Sequence, residues 1–212
     1  MNDMRMLTKY SIFAHRGVWH SKAFQNTAEA MTAAKEMGVG VETDVRNFGN
    51  HIVLAHDPVE NADHLDIEFL FNLNIRTAFN IKVDGLQTFF DVKKHEIEES
   101  NSFFFDGSLP EMVKYKNLGL PHALRLSEHE KELPWRPQYI WLDSFYSEWW
   151  IQERLIEKSE DLETEFIVVS PELHGRNPLH CWDYLRAVIS QGNSNVSICT
   201  DRPFDFKVMI EN

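Results

Sequence analysis

The sequence predicts a single (β/α)8 barrel spanning residues 1–212, and three observations lead to it. Eight short apolar runs alternate with longer polar or amphipathic stretches, the rhythm of βα units around a parallel sheet. Eight is also the number of strands that closes such a barrel. The chain has 212 residues, 43% apolar, with fifteen Phe and six Trp, enough for one sizeable core. No long repeat, low-complexity tract or Pro/Gly-rich linker divides it.

The strand-like runs are "SIFAH" (11–15), "GVETDV" (40–45), "AFNIKV" (78–83), "SFFFD" (102–106), "ALRLS" (123–127), "YIWLD" (139–143), "FIVVS" (166–170) and "VSICTD" (196–201). Between the first two, Asn26 or Thr27 can cap a helix whose Ala30, Met31, Ala34 and Met37 share a face, with Gly38 as its stop signal. Apolar residues three to four apart predict further helices at 84–99, 111–118, 147–160 and 180–191. The stretch "RNFGNHIVLAHDP" (46–58) holds a Gly-Asn turn signal followed by a strand-like run. It reads as a β-hairpin after strand two, returning beside the barrel mouth. Roughly 200 residues is the lower edge for this architecture, so the barrel must be compact with short loops.

Composition excludes several partners. A formal net charge of −12 without any Lys/Arg cluster argues against a nucleic-acid surface or an anionic membrane, both of which are held through basic patches. An anionic substrate would need locally placed cations. Two cysteines, Cys181 and Cys199, make no disulfide framework and read as reduced thiols. The N-terminal stretch has no apolar leader-like segment, and no run approaches the roughly 18 apolar residues of a membrane span. The expectation is a soluble, cytoplasmic protein.

In such barrels the reacting groups sit at the C-terminal ends of the strands. The first run ends in His15 and Arg16, the second carries Glu42 and Asp44, the hairpin ends in His56 and Asp57, and the third run carries Asn80 and Lys82. Glu42 and Asp44 are two apart, so an extended strand points both to one face. Two inward carboxylates repel unless a positive group separates them; a hard divalent cation with oxygen ligands answers this, as does an ion pair with Arg46 or Lys82. His15 and His56 each end a strand-like run beside a charged residue and can serve as general base and acid. The other eight histidines, His174 among them, read as ordinary core or surface residues. Arg16 and Lys82 suit the nonbridging oxygens of a phosphate.

"AHRG" with "NT" ten residues after Arg16, then "VETDV", "LAHD" and "NIKVDG" in that order, resembles the glycerophosphodiester phosphodiesterases, members of the phospholipase-C-like phosphodiesterase barrels. The likeness is strong over about residues 12–86 and weaker beyond, where the strand rhythm and "CTDRP" carry it. The resemblance implies that His15 and His56 are the catalytic acid/base pair, that Arg16 and Lys82 hold phosphate, and that Glu42 and Asp44 bind a divalent metal, Mg2+ or Ca2+. It implies hydrolysis of a small glycerophosphodiester-like substrate to a phosphomonoester and an alcohol. The chain departs from the pattern at Gln25, where the family has glutamate, and at Asn80, where it has a carboxylate. Its cap insertion is reduced to about residues 58–77. Asn80 can still ligate through its amide oxygen. Adjacent barrel strands lie about 4.8 Å apart, so Asp106, ending the next run, can reach the same cation; Asp143, Glu172 and Asp201 end runs farther round. Two alternatives stay open: a lyase that stops at a cyclic phosphate, and a phosphate-binding or regulatory barrel without turnover.

Overall fold

The computed structural model describes residues 11–61, 63–159, 163–191 and 195–211. The expectation for the N-terminal ten residues therefore lies outside the described residues, as does position 160 at the end of one expected helix. Among the described residues, nine strands form one sheet: β1 (Ile12–His15), β2 (Gly40–Phe48), β3 (His51–Leu54), β4 (Thr77–Ile81), β5 (Phe103–Phe105), β6 (Ala123–Leu126), β7 (Tyr139–Leu142), β8 (Glu165–Val169) and β9 (Val196–Thr200). Their order is β5-β4-β2-β1-β9-β8-β7-β6, with β3 antiparallel on β2. A parallel bridge between Phe104 and His122 brings β5 to β6 and nearly closes a ring of eight parallel strands. This is the (β/α)8 barrel expected, and β3 is the expected hairpin. Gly49, at φ +58, opens its two-residue turn, a conformation only glycine adopts cheaply.

Register sorts the side chains. Phe13 pairs with Gly40, His15 with Glu42, Asp44 with Asn80, and Asn80 with Phe105. Because strand side chains alternate, these positions all point into the barrel. At the bottom, Arg76 bridges to Glu165 at 2.7 Å and lies over the Phe13 ring. Gly40 is required at this level, since a Cβ there would stand 2.9 Å from the Arg76 carbonyl oxygen and 3.1 Å from the Phe13 ring. Above the ion pair sits an apolar layer in which Phe103 stacks on Tyr139 and Phe105 on Trp141. The next inward residues up are polar, and they form the rim.

Among the described residues, eight helices pack outside: α1 (Ala28–Met37), α2 (Glu68–Leu73), α3 (Gln87–Val92), α4 (Lys94–Glu99), α5 (Leu109–Leu118), α6 (Trp149–Glu153), α7 (Leu179–Ser190) and α8 (Pro203–Glu211). The Thr27 hydroxyl accepts from Ala30 N and caps α1, and Gly38 ends it at φ +72. The helix expected over 84–99 is two helices broken at Lys93, whose φ of −95° and ψ of 12° interrupt the hydrogen-bond ladder. The one expected over 147–160 stops at Arg154, which turns left-handed at φ +54. No helix follows β6: Pro134 and Pro137 interrupt the connection to β7, and Trp135 anchors it by donating to His122 Nε2 at 2.9 Å. Among the described residues, no helix is long and apolar enough to cross a membrane.

Candidate active site

The β1–α1 turn builds the first corner of the rim. Arg16 takes φ +58 and Gly17 φ +89, and a Cβ on Gly17 would lie 2.7 Å from the Ala30 side chain, so α1 can approach this closely only over glycine. The left-handed Arg16 swings a side chain from the outward register into the mouth, where Nε stands 2.8 Å from Asp44 Oδ2. That N–H is not aligned on the carboxylate, so the contact is an ion pair rather than a directed hydrogen bond. Nη1 donates to Gln25 Oε1 at 3.2 Å. Asn26, also left-handed at φ +57, donates to Asp44 Oδ2 at 3.2 Å and accepts from the Thr43 hydroxyl at 2.7 Å. Lys82 Nζ lies 3.3 Å from Asp44 Oδ1. Asp44 is thus flanked by two cations.

Glu42 has a different environment. It is buried, Asn80 Nδ2 donates to its Oε1 at 3.2 Å, and its Oε2 lies 3.8 Å from His15 Nε2. Burial and the neighbouring Asp44 charge raise its pKa to about 7 against the pull of His15, Lys82 and Arg16. His15 Nδ1 sits 2.6 Å from Asp201 Oδ1. Burial lowers the His15 pKa, but the Asp201 hydrogen bond and the Glu42 and Asp201 charges outweigh it, and the net shift is upward. With Asp201 accepting from Nδ1, the neutral ring presents its lone pair at Nε2.

Among the described residues, three buried oxygens at this rim, Glu42 Oε2, Asp44 Oδ1 and Asn80 Oδ1, make no aligned hydrogen bond, although the Lys82 ammonium faces the second as an ion pair. Buried acceptors left without donors are costly, and an all-oxygen set of this kind suits a hard divalent cation. Among the described residues no group of three or more His, Cys, Asp and Glu side chains is arranged for a metal, the third donor here being an amide. The donor chemistry fits a cation, with two carboxylates and one neutral oxygen.

His56 and Asp106 are less enclosed by this set. His56, half exposed on the loop after β3, holds Asp57 Oδ1 at 2.9 Å through Nδ1, and that hydrogen bond holds the Asp57 pKa below the usual value. It shares with Arg16, Gln25 and Asn26 a cleft of about 600 Å³. Asp106 turns inward at φ +63, but its carboxylate is engaged by Arg125, whose Nε donates to Oδ1 at 3.1 Å while Nη2 pairs with Oδ2. The farther acids have partners as well. Asp143 Oδ1 receives His174 Nε2 at 2.7 Å and Ser144 N at 2.8 Å, and Arg125 Nη1 stands 3.7 Å from Oδ2. Glu172 accepts from the Ser170 and Thr200 hydroxyls and, at 3.2 Å, from Asp201 N, so it fixes the strand end that presents Asp201 to His15.

Asp201 is the neighbour of His15 that motif reading missed as a histidine partner. The signal was present: in a closed eight-stranded ring the last strand lies beside the first, and β9 pairs Cys199 with Phe13, which puts residue 201 level with residue 15. His174 likewise forms a carboxylate pair rather than standing alone. Cys181 and Cys199 are free and buried, their pKa values pushed up by burial.

Parallel strands in a nearly closed ring, with inward polar groups gathered at the C-terminal rim, define a (β/α)8 barrel that carries its candidate chemistry in the usual place for that fold. Among solved structures it is similar to a glycerophosphodiester phosphodiesterase from Agrobacterium tumefaciens, with a TM-score of 0.72 and 17% identity over 96% of this chain and 100% of that one. At that identity the likeness establishes the fold. A phospho-2-dehydro-3-deoxyheptonate aldolase from Thermotoga maritima aligns with a TM-score of 0.47 and 14% identity, over 95% of this chain and 66% of that one. No family model and no curated protein sequence matches the chain.

Proposed function

We propose that the chain is a divalent-cation-assisted phosphodiesterase that cleaves a small glycerophosphodiester-like substrate to a phosphomonoester and an alcohol, in the cytoplasm. The observation that carries this is the trio of buried oxygens on Glu42, Asp44 and Asn80, none in an aligned hydrogen bond, between a carboxylate-held histidine and two cations. Glu42, Asp44 and Asn80 would hold the cation, Mg2+ or Ca2+, which when bound supplies Lewis acidity toward a phosphoryl oxygen. Arg16 has guanidinium N–H groups beyond those facing Asp44 and Gln25, and Lys82 has three donors; both suit nonbridging phosphate oxygens. His15 and His56 each have Nδ1 on an aspartate, which leaves Nε2 as the proton-exchanging atom in both. One takes the proton of the attacking hydroxyl, in this reading a hydroxyl of the substrate itself that forms a cyclic phosphate later opened by water. The other protonates the departing alcohol. The Agrobacterium tumefaciens enzyme's name and fold support the reading, as do the strand-end motifs.

The test is a metal-by-substrate screen over glycerophosphodiesters and bis-p-nitrophenyl phosphate, with phosphorus NMR of the product. Turnover that a chelator abolishes is expected; a folded protein that cleaves none of them with any divalent cation would sink the proposal. A cyclic phosphate as the end product would make it a lyase. One observation favours binding without turnover: Asp44 already carries two cations, so affinity for metal rests on Glu42 and Asn80. That reading requires diester binding with no product.

A further inference from the structure

The two oxygens of the buried Asp44 carboxylate meet different cations. Oδ2 has Arg16 Nε at 2.8 Å and accepts from Asn26 Nδ2 at 3.2 Å, and Arg16 is itself tied to Gln25. Oδ1 has the Lys82 ammonium at 3.3 Å and makes no aligned hydrogen bond. Among the described residues, Asp44 is the only ion-pair partner of Lys82. Asp44 pairs with Asn80 in register, so Lys82, two residues on, is the next position on the same face toward the mouth. Its backbone N–H donates to the Val45 carbonyl at 3.1 Å and holds the end of β4 against β2, while its four-carbon stem can pivot. Oδ1 is the Asp44 oxygen that the trio offers to a divalent cation, and Lys82 stands in front of it. A double and a single positive charge sharing one buried oxygen repel strongly, because water screens them little there. One must leave, and Lys82 has the flexible tether.

We propose that Lys82 is an exchangeable counter-ion, which neutralises Asp44 until a divalent cation takes Oδ1 and then turns to a nonbridging oxygen of the phosphodiester, coupling the binding of cation and phosphate. The inference rests on the phosphodiester reading for the anion and on the oxygen trio for the cation. Linkage makes the coupling reciprocal: the cation raises phosphate affinity by the factor by which phosphate raises cation affinity. Arg16 keeps its place in this exchange, since it faces the other oxygen.

Calorimetry with Mg2+ and methyl phosphate, a monoester with no diester bond to cleave, tests this without reference to turnover. Mg2+ alone is expected to bind Lys82→Met at least about fivefold more tightly than the parent, because the competing ammonium is gone. Removing any nearby positive charge does part of that, so the coupling decides. The factor by which Mg2+ raises methyl phosphate affinity should be at least about fivefold larger in the parent than in Lys82→Met; direct attraction between the two ligands is common to both proteins and cancels. Lys82→Gln takes the place of Lys82→Met if circular dichroism shows the latter misfolded. An equal factor in parent and variant, Mg2+ binding that is unchanged or weaker in the variant, or no Mg2+ binding to the parent overturns the proposal. Excess coupling in the parent, with no diester cleaved, leaves this inference standing and removes the activity. Diester cleavage with equal coupling does the reverse.

Discussion

The two halves of the barrel mouth are built from the same residue types and end in opposite states. On the β1, β2, β4 and β9 side, Glu42, Asp44 and Asn80 keep buried oxygens that make no aligned hydrogen bond. On the β5 to β8 side, Arg125 and His174 are matched to Asp106 and Asp143. A buried oxygen without an aligned hydrogen bond carries a cost, whereas a matched ion cluster is a finished structure. The difference separates a half that keeps buried oxygens outside any aligned hydrogen bond from a half whose side-chain charges are matched. It also explains how a single left-handed residue before glycine serves two ends: Arg16 is swung toward the open side and Asp106 toward the closed side.

Breaking the open half at its histidine should have the largest effect. His15→Ala is expected to lower phosphodiester turnover by about a hundredfold or more, with the circular dichroism spectrum unchanged; near-normal turnover would remove His15 from the chemistry. In the closed half, Arg125→Met strands Asp106 and Asp143 and should cost stability of about 3 kcal/mol in urea unfolding, discounted for the partial exposure of the guanidinium. Little change would mean those carboxylates are solvated rather than paired.

The pH dependence of stability sharpens the contrast. The Glu42 pKa rises on folding from 4.5 to about 7, so the folded state favours its protonated form. Its contribution is fully present below pH 4.5 and is lost as pH rises to about 7, a loss of about 3 kcal/mol in metal-free protein. His15, also raised, acts in the same direction: its contribution is present below its unfolded value and lost as pH rises through its folded one. Glu42→Gln should therefore flatten the profile only in part, and a divalent cation should restore stability to the parent protein near pH 7. A parent profile as flat as the variant's would show that Glu42 is solvated.

A smaller effect separates the rim acids. Asn80→Asp adds a charge to the trio and should tighten divalent-cation binding about tenfold by calorimetry, whereas Asp106→Asn should leave it unchanged because Arg125 already engages that carboxylate. Weakened binding in Asp106→Asn would return Asp106 to the ligand set. The smallest effect is at Gln25: Gln25→Ala removes one hydrogen bond to Arg16 and should raise KM a few-fold with kcat little changed.

Much of this was legible in the chain. The alternation of strand side chains is local physics, so the shared face of Glu42 and Asp44 followed from counting by twos along an apolar run, and Asn26 or Thr27 with Gly38 marked α1 by capping chemistry alone. The broken helices were not legible, because the turns at Lys93 and Arg154 use residues with no strong local preference for ending a helix.

What the sequence by itself determined is therefore the barrel, its hairpin and the set of groups at its rim, since period, capping and turn chemistry act over a few residues. Only the tertiary structure decided the pairings. Ring closure sets β9 beside β1 and gives His15 the carboxylate of Asp201, 186 positions away. The left-handed Asp106 meets Arg125 across a strand boundary, and two prolines leave a cleft where a helix would stand. Each of these depends on which strand ends become neighbours, and that is settled by closing the sheet, not by any local stretch of chain.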